Sequence, residues 1–122
     1  MQIQLLEYKF CVCKIDSVNQ VDMQSDFFFL AKTDGEVSLV CKEADVPKDS
    51  LAVDSTWRGL RVVGTLDFSL VGILSNISSV LANSGVPIFA VSTYDTDYIL
   101  IKEQYLDKAL TALEKGGYSV IK

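Results

Sequence analysis

The chain has 122 residues, of which 49% are apolar and 22% charged, so it is long enough for one domain or two very small ones and is too apolar to be disordered. Its net charge is −5 and its 11 Lys and Arg residues are scattered, which argues against nucleic-acid binding. The absence of histidine removes the commonest general base and most catalytic zinc sites. These features argue against an enzyme, and no cofactor or metal ion is expected.

The three cysteines, Cys11, Cys13 and Cys41, are an odd set on predicted strands. A disulfide scaffold favours an even number, and three thiols do not complete a four-ligand structural zinc site. We therefore expect reduced thiols acting as small core residues. The sequence shows neither a secretory signal nor an apolar run long enough to span a membrane, so the expected location is the cytoplasm.

The N-terminal half is predicted to be mostly β-strand. Its first apolar residues alternate with polar ones at a period of two, which is typical of a strand with one buried face. Two further β-rich runs, 27–33 and 36–42, flank Asp34-Gly35, a pair that favours a hairpin because both turn positions accept a positive φ. The polar segment 44–55 contains Pro47 and is predicted to connect two domains, 1–56 and 57–122.

The C-terminal half has a more regular pattern. Strands are predicted at 60–66, 86–93, 97–102 and 118–121. Apolar residues at helical spacing predict one helix from about Leu70 to Leu81 and another around 106–113. Gly85 and the pair Gly116-Gly117 follow these helices, where a left-handed cap is expected.

This order, β-α-β-β-α-β, predicts an α+β fold in which two helices cover one face of a four-stranded sheet, the ferredoxin-like arrangement. The first half repeats the β-rich part of the second but lacks its first helix. We therefore predict tandem ferredoxin-like modules, of which 1–56 is degenerate and 57–122 is complete.

Three segments of the C-terminal half support a family resemblance. They are 57–60, 66–74 and 88–102, which read W-R-G-L, L-D-F-S-L-V-G-I-L and I-F-A-V-S-T-Y-D-T-D-Y-I-L-I-K. In these residues the chain resembles the ACT-domain family, and more narrowly small bacterial proteins with two ACT-like modules that are related to those of the arginine sensors called CASTOR proteins. The N-terminal half resembles the family loosely, through its strand pattern and segment 37–41.

The resemblance implies a regulatory module that binds an amino acid without catalysis. ACT modules pair side by side and bind ligands near the interface, against the loop that joins the first strand to the first helix. That loop is 67–72 here. It departs from the better-known ACT loop, which has Pro-Gly or a similar pair, so the ligand stays open. Because the arginine sensors have four modules and this chain has at most two, a site between modules would require a homodimer.

The start of the first C-terminal helix is the first part of the candidate site. A helix that begins near Leu70 leaves the N–H groups of Leu70, Val71 and Gly72 without internal partners, at the positive end of the helix dipole. A ligand carboxylate would be stabilised there, and Asp67 could pair with a ligand ammonium. The alternative is that Ser69 or Asp67 caps the helix and that nothing binds.

The turn at 93–97 is the second part of the candidate site. Its two aspartates and two threonines could face a cationic group, or they could bond only to their own backbone. The predicted ligand-binding residues are Asp67, Phe68, Ser69, Leu70, Val71, Gly72, Ile73, Thr93, Asp95 and Asp97.

Two functions fit these observations. The first is a cytoplasmic, homodimeric and non-catalytic regulatory module that binds a free amino acid or similar metabolite and does not contact nucleic acid or membranes. The second is a ligand-free protein-interaction or scaffold module, in which the aspartates are structural.

Overall fold

The structure, a computed structural model, describes residues 1–67 and 70–122, so the predicted site residues Phe68 and Ser69 lie outside the described residues. The described residues form seven strands, two α-helices and three short 3-10 turns. The strands are β1 Gln2–Ile15, β2 Phe28–Lys32, β3 Val37–Lys42, β4 Ala52–Val62, β5 Phe89–Ser92, β6 Asp97–Lys102 and β7 Ser119–Ile121. The helices are α1 Ile73–Asn83 and α2 Leu106–Lys115.

The chain divides into two compact units. One contains Met1–Glu7 and Arg58–Lys122, and the other contains Tyr8–Trp57. The predicted division at 56/57 lies one residue from the point where β4 passes between units, but Met1–Glu7 clusters with the C-terminal residues. The 14-residue strand β1 contributes to both units because its first residues pair with the last strand of the chain.

The unit Tyr8–Trp57 is built on an antiparallel sheet in which β3 lies between β2 and β1. The predicted hairpin joins β2 to β3, but neither Asp34 nor Gly35 has a positive φ. Instead, the hydroxyl of Thr33 accepts hydrogen bonds from the N–H groups of Gly35 and Glu36, each at 3.2 Å. The turn therefore depends on a side chain that precedes it, because a threonine hydroxyl can satisfy turn amides directly.

The three thiols lie in the core of this unit. Cys11, Cys13 and Cys41 are buried and reduced, as predicted, and pack with Ile15, Val21 and Leu39. The unit, all of whose residues are described, has two 3-10 turns, Val18–Gln20 and Glu43–Asp45, and no α-helix. Partly buried side chains, namely Phe28, Val37 and Val46, pack against its core.

The other unit has the predicted β-α-β-β-α-β order from β4 to β7, with one difference in the sheet. The strand order is β7-β1-β4-β6-β5. The start of β1 therefore lies between β4 and β7, which would be neighbours in the predicted four-stranded sheet. Gln2–Gln4 pair in parallel with Ser119–Ile121. Such a pairing joins residues from opposite ends of the sequence, and no local sequence pattern encodes it.

Two amphipathic helices complete the core of this unit. Ile77 and Leu81 of α1 are fully buried, and so are Ala109 and Leu113 of α2. They pack with apolar residues of the sheet, namely Ile3, Leu60, Val62, Ile99 and Ile101. The apolar periodicity thus predicted which face of each helix is buried.

Both helices end as the glycines predict. Gly85 has φ +73° and its N–H donates to Ala82 O, while Val86 N–H donates to Leu81 O. Gly117 has φ +95°, and Tyr118 N–H donates to Leu113 O in the same arrangement. Left-handed residues of this kind satisfy the last carbonyls of a helix, and glycine adopts them without steric cost.

The start of α1 differs from the prediction. The helix begins at Ile73, with Gly72 as its N-cap in the left-handed conformation, rather than near Leu70. The preceding strand β4 ends at Val62 rather than at Leu66, and Gly64 follows with φ +100°. A residue with positive φ has neither helix nor strand geometry, so Gly64 and Gly72 lie outside the regular elements. The apolar pattern of the sequence continues past these glycines, which is why it predicted longer elements. In the described part of the chain no helix is long and apolar enough to cross a bilayer.

Candidate functional site

A hollow of about 340 Å³ lies between the start of α1 and the turn that joins β5 to β6. It belongs wholly to the unit formed by Met1–Glu7 and Arg58–Lys122. Its described lining residues are Leu66, Asp67, Leu70, Gly72, Ile73, Leu74, Ser75, Ser92, Thr93, Tyr94, Asp95, Thr96 and Asp97. Both predicted parts of the site, the helix start and the acidic turn, therefore face one space.

The first turn of α1 supplies backbone donors to this hollow. Asn76 N–H donates to Gly72 O at 2.8 Å, which is the first bond of the helix. The N–H groups of Ile73, Leu74 and Ser75 precede that bond and so have no acceptor within the helix. All three residues line the hollow, which places it at the positive end of the helix dipole.

Two details of the predicted helix start are corrected. Leu70 N–H is not bare, because it donates to Asp67 O at 3.0 Å. The residue at the cap position is Gly72 rather than Asp67, and Gly72 has no side chain to bond the first turn. The donors thus shift three residues along the chain, from Leu70 to Ile73.

The turn at 93–97 is fixed by its own hydrogen bonds. Thr93 N–H and the Thr93 hydroxyl both donate to Thr96 O, at 2.9 and 3.1 Å. The hydroxyl of Thr96, itself buried, donates to Val62 O at 2.7 Å, and Leu66 N–H donates to Asp95 O at 2.6 Å. The Thr93 hydroxyl therefore bonds the backbone of its own turn, as the structural alternative predicted, whereas the Thr96 hydroxyl bonds the end of β4 and ties the turn to that strand.

Carboxylates dominate the electrostatics of the hollow. Asp67, Asp95 and Asp97 line it, and no lysine or arginine is among its described lining residues. The Asp97 carboxylate accepts a hydrogen bond from the Ser92 hydroxyl at 2.5 Å. Negative charge and backbone N–H groups thus both line the hollow, a combination that suits a zwitterion.

The structure brings most of the predicted site residues together. Asp67, Leu70, Gly72, Ile73, Thr93, Asp95 and Asp97 line the hollow. Val71 does not line it and is 88% exposed, and Phe68 and Ser69 lie outside the described residues. The sequence prediction missed Ser75 because it started the helix too early. A left-handed cap at Gly72 makes Ser75 the third residue of the first turn.

Exposed apolar side chains stand beside the hollow. Leu70 is 52% exposed, Val71 88% and Tyr94 80%. Large apolar residues that are this exposed and grouped around a polar hollow are typical of surfaces that meet another molecule.

A metal ion requires several candidate ligands that lie close together. Within residues 1–67 and 70–122 no group of three His, Cys, Asp or Glu side chains is arranged to hold a metal ion.

Another hollow, of about 390 Å³, lies by Tyr8, Lys9, Lys42, Glu43 and Ala44. There the Lys42 ammonium already contacts the Asp26 carboxylate and the Tyr8 ring, so its charge is engaged within the protein.

The conformation of Gly72 can be tested by substitution. An alanine Cβ at this position would meet Asn76 Nδ2 at 3.6 Å, an ordinary contact, so the cost arises from the φ of +78°. We expect Gly72→Ala to lower the free energy of unfolding by roughly 1 kcal/mol. Gly35→Ala is the matched control, because that turn glycine has no positive φ and its nearest neighbour would lie at 3.9 Å. Equal decreases in the free energy of unfolding for the two variants, measured by urea denaturation, would contradict the left-handed conformation of Gly72.

Comparison with known proteins identifies the family. The ACT domain profile matches residues 52–115, which is more than half of the chain. The fold is similar to that of an Agobacterium tumefaciens protein solved by crystallography, with a TM-score of 0.88 and 27% identity over 98% of this chain and 91% of that one.

More distant structures share the fold. A Vibrio cholerae protein of unknown function, described as a possible transport protein, has a TM-score of 0.76 at 16% identity and covers 92% of this chain and 86% of its own. The regulatory subunit of aspartate kinase from Thermus thermophilus, in its ligand-free form, has a TM-score of 0.66 at 11% identity, with 95% and 97% covered. With the profile match and the ferredoxin-like order from β4 to β7, the chain belongs to the ACT-domain family.

Proposed function

We propose that the chain is a non-catalytic regulatory module that binds a free amino acid in the hollow beside α1 and acts in the cytoplasm. The observation that carries this proposal is the juxtaposition of the first-turn N–H groups with three carboxylates around one space of about 340 Å³. That volume is at the lower end of the range typical of small-molecule sites. Membership of the ACT family and the fold shared with the regulatory subunit of aspartate kinase support a regulatory role.

Each charged group of an amino acid has a counterpart in the hollow. The ligand carboxylate would accept hydrogen bonds from the N–H groups of Ile73, Leu74 and Ser75, where the helix dipole favours an anion. Gly72, without a side chain, leaves that approach open. The ligand ammonium would pair with Asp95 or Asp97 in the opposite wall, or with Asp67. A charge-assisted hydrogen bond of this kind is roughly twice as strong as a neutral one.

We further propose that the regulatory unit is a homodimer whose arrangement responds to the ligand. The exposed side chains of Leu70, Val71 and Tyr94 beside the hollow support a contact between chains there. A ligand changes the population of an arrangement only if it binds one arrangement more tightly than another. A site near such a contact would allow that difference, because the partner chain could cover the bound amino acid in one arrangement.

The tandem-module hypothesis is supported by a repeat within the chain. Phe29, Thr33 and Lys42-Glu43 recur 60 residues later as Phe89, Thr93 and Lys102-Glu103. In each copy the N–H of the turn threonine donates to the carbonyl three residues on, at 2.9 Å, and a 3-10 turn follows the second strand. We propose that Tyr8–Trp57 derives from an ACT-like module that has lost its first helix, as predicted, and that has a 3-10 turn in place of its second.

Thermal-shift screening against the twenty amino acids tests the binding proposal. Ligand that binds only the folded protein stabilises it by about 2.7 kcal/mol at one hundred times Kd. We expect at least one amino acid to raise the unfolding midpoint at millimolar concentration, with a dependence on concentration that follows this relation. No shift with any of them, in a protein that unfolds cooperatively, would instead favour a ligand-free interaction module.

A further inference from the structure

Three thiols meet in the core of the unit Tyr8–Trp57, and the proposed ligand site does not involve them. This thiol cluster consists of Cys11, Cys13 and Cys41, each at most 2% exposed. Cys11 and Cys13 lie on β1, and Cys41 lies on β3. All three belong to one buried group of side chains, so their sulfur atoms share one face of the sheet.

The strand register distinguishes the two possible pairs. Cys11 is directly opposite Cys41 in the antiparallel pairing of β1 with β3, whereas Cys13 is opposite Leu39 and therefore diagonal to Cys41. Directly opposite residues have Cα atoms roughly 4.5–5.5 Å apart, and diagonal ones roughly 7–8 Å apart. A disulfide requires about 4.4–6.8 Å between Cα atoms, so the strand register favours the Cys11–Cys41 pair. The thiols of Cys13 and Cys41 are hydrogen-bonded to each other, so Cys13 is the competing partner that the experiment must exclude.

We propose that Cys11 and Cys41 form an intrachain disulfide when the protein meets a disulfide oxidant, and that this bond is a redox-dependent staple between β1 and β3. One cysteine thiolate attacks a low-molecular-weight disulfide such as oxidised glutathione, releasing one glutathione thiolate and leaving a mixed disulfide. The second cysteine then attacks the protein sulfur of that mixed disulfide and releases the second glutathione. Two protein thiols are oxidised, and one glutathione disulfide is reduced to two glutathione thiolates, which take up the two protons that the protein thiols lose.

The surroundings of the cluster make this reaction slow in the closed unit. Burial, with smaller contributions from the neighbouring thiols, raises the pKa of Cys41 to about 12, and burial also raises the pKa of Cys13. The thiolate is the nucleophile, so little of Cys41 is reactive near neutral pH. Glutathione must also reach sulfur atoms that are almost fully covered. Oxidation therefore requires local opening of this unit, and the bond then holds β1 and β3 together once the unit closes.

The bond would change the stability of the unit. It closes the loop from Cys11 to Cys41, and such a cross-link reduces the freedom of the unfolded chain. We expect the oxidised protein to unfold at a temperature on the order of 10 °C above the reduced one. The stability of Tyr8–Trp57 would then depend on the thiol–disulfide balance around the protein.

The test is to bring the protein to equilibrium in a glutathione redox buffer from two directions. One sample starts folded and reduced, and the other is refolded from the reduced, unfolded chain in the same buffer, so slow reaction cannot hide the result. Remaining thiols are alkylated, and trypsin releases Cys11 and Cys13 on one peptide, 10–14, and Cys41 on another, 33–42. Fragmentation of the linked peptides then locates the bond in the wild-type protein.

We expect peptides joined through Cys11 and Cys41, with Cys13 alkylated. The variant Cys13→Ser should keep both the bond and the rise in unfolding temperature, and Cys11→Ser should lose both. The proposal is overturned if both samples remain reduced at equilibrium in an oxidising buffer, if glutathione adducts dominate, or if the bond joins Cys13 to Cys41. Because the wild-type mapping decides the pairing, the result does not depend on whether either variant folds.

Discussion

Leu81→Ala is expected to lower the free energy of unfolding by about 2–5 kcal/mol. Leu81 is fully buried on the inner face of α1 and belongs to the core that joins this helix to the sheet. Truncation removes apolar contacts and leaves a cavity that the surrounding side chains fill only partly. Urea denaturation followed by circular dichroism measures the loss.

Ser79→Ala is the matched control for this prediction. Ser79 lies on the exposed face of the same helix. Its replacement should change the free energy of unfolding by no more than about 0.5 kcal/mol, because exposed substitutions away from caps and networks have small effects. Similar losses for the two variants would mean that α1 does not bury the Ile77–Leu81 face against the sheet.

Asp95→Asn is expected to weaken amino-acid binding by roughly tenfold to a hundredfold, because it removes a charge that would pair with the ligand ammonium. The substitution keeps the shape of the side chain and the backbone carbonyl that accepts a hydrogen bond from Leu66. We therefore expect the unfolding midpoint of the free protein to change little. Isothermal titration calorimetry with the amino acid that gives the largest thermal shift measures the loss.

Asp34→Asn provides a control with the same chemistry. Asp34 is an exposed aspartate in the turn that joins β2 to β3, and it does not line the hollow by α1. Asp34→Asn should leave the affinity for the amino acid unchanged. A decrease in affinity for Asp95→Asn alone would then result from a local contact and not from the change in net charge, which both variants share. Equal affinities for the wild type and both variants would show that the ammonium does not rely on Asp95.

Local sequence signals predicted the parts of the fold that depend on neighbouring residues. The left-handed conformations of Gly85 and Gly117 were predictable from the sequence. Helices commonly end in a left-handed residue, which is usually glycine, and each of these glycines follows closely on the last apolar residue of its helix. The hairpin at Asp34-Gly35 was predictable as well, although the bonds that hold it come from Thr33. In each case the determining interactions span no more than a few residues.

Other features were not accessible from the sequence for physical reasons. The pairing of Gln2–Gln4 with Ser119–Ile121 joins residues from opposite ends of the sequence, and its apolar residues are equally compatible with several neighbours. The start of α1 was misplaced because Leu70 fits the apolar period of the helix, although the backbone at Gly72 is left-handed. Because of that error the prediction omitted Ser75, which lines the hollow at the start of α1.

The redox staple and the amino-acid site involve different units, and their tests are independent. The thiol cluster lies in Tyr8–Trp57, whereas the hollow lies in Met1–Glu7 with Arg58–Lys122. Failure of the disulfide experiment would leave the ligand site untouched. Failure of every amino acid to bind would likewise leave the pairing of Cys11 with Cys41 open to its own measurement.

The central claim is that the first turn of α1 offers backbone N–H groups to a ligand carboxylate. Titration of the ¹⁵N-labelled protein with the twenty amino acids, observed by amide chemical shifts, tests it most directly. We predict saturable shifts for at least one amino acid, largest at the amides of Ile73, Leu74 and Ser75 and at 93–97. Unchanged first-turn amides at millimolar concentrations, or saturable shifts confined to other parts of the chain, would contradict the account.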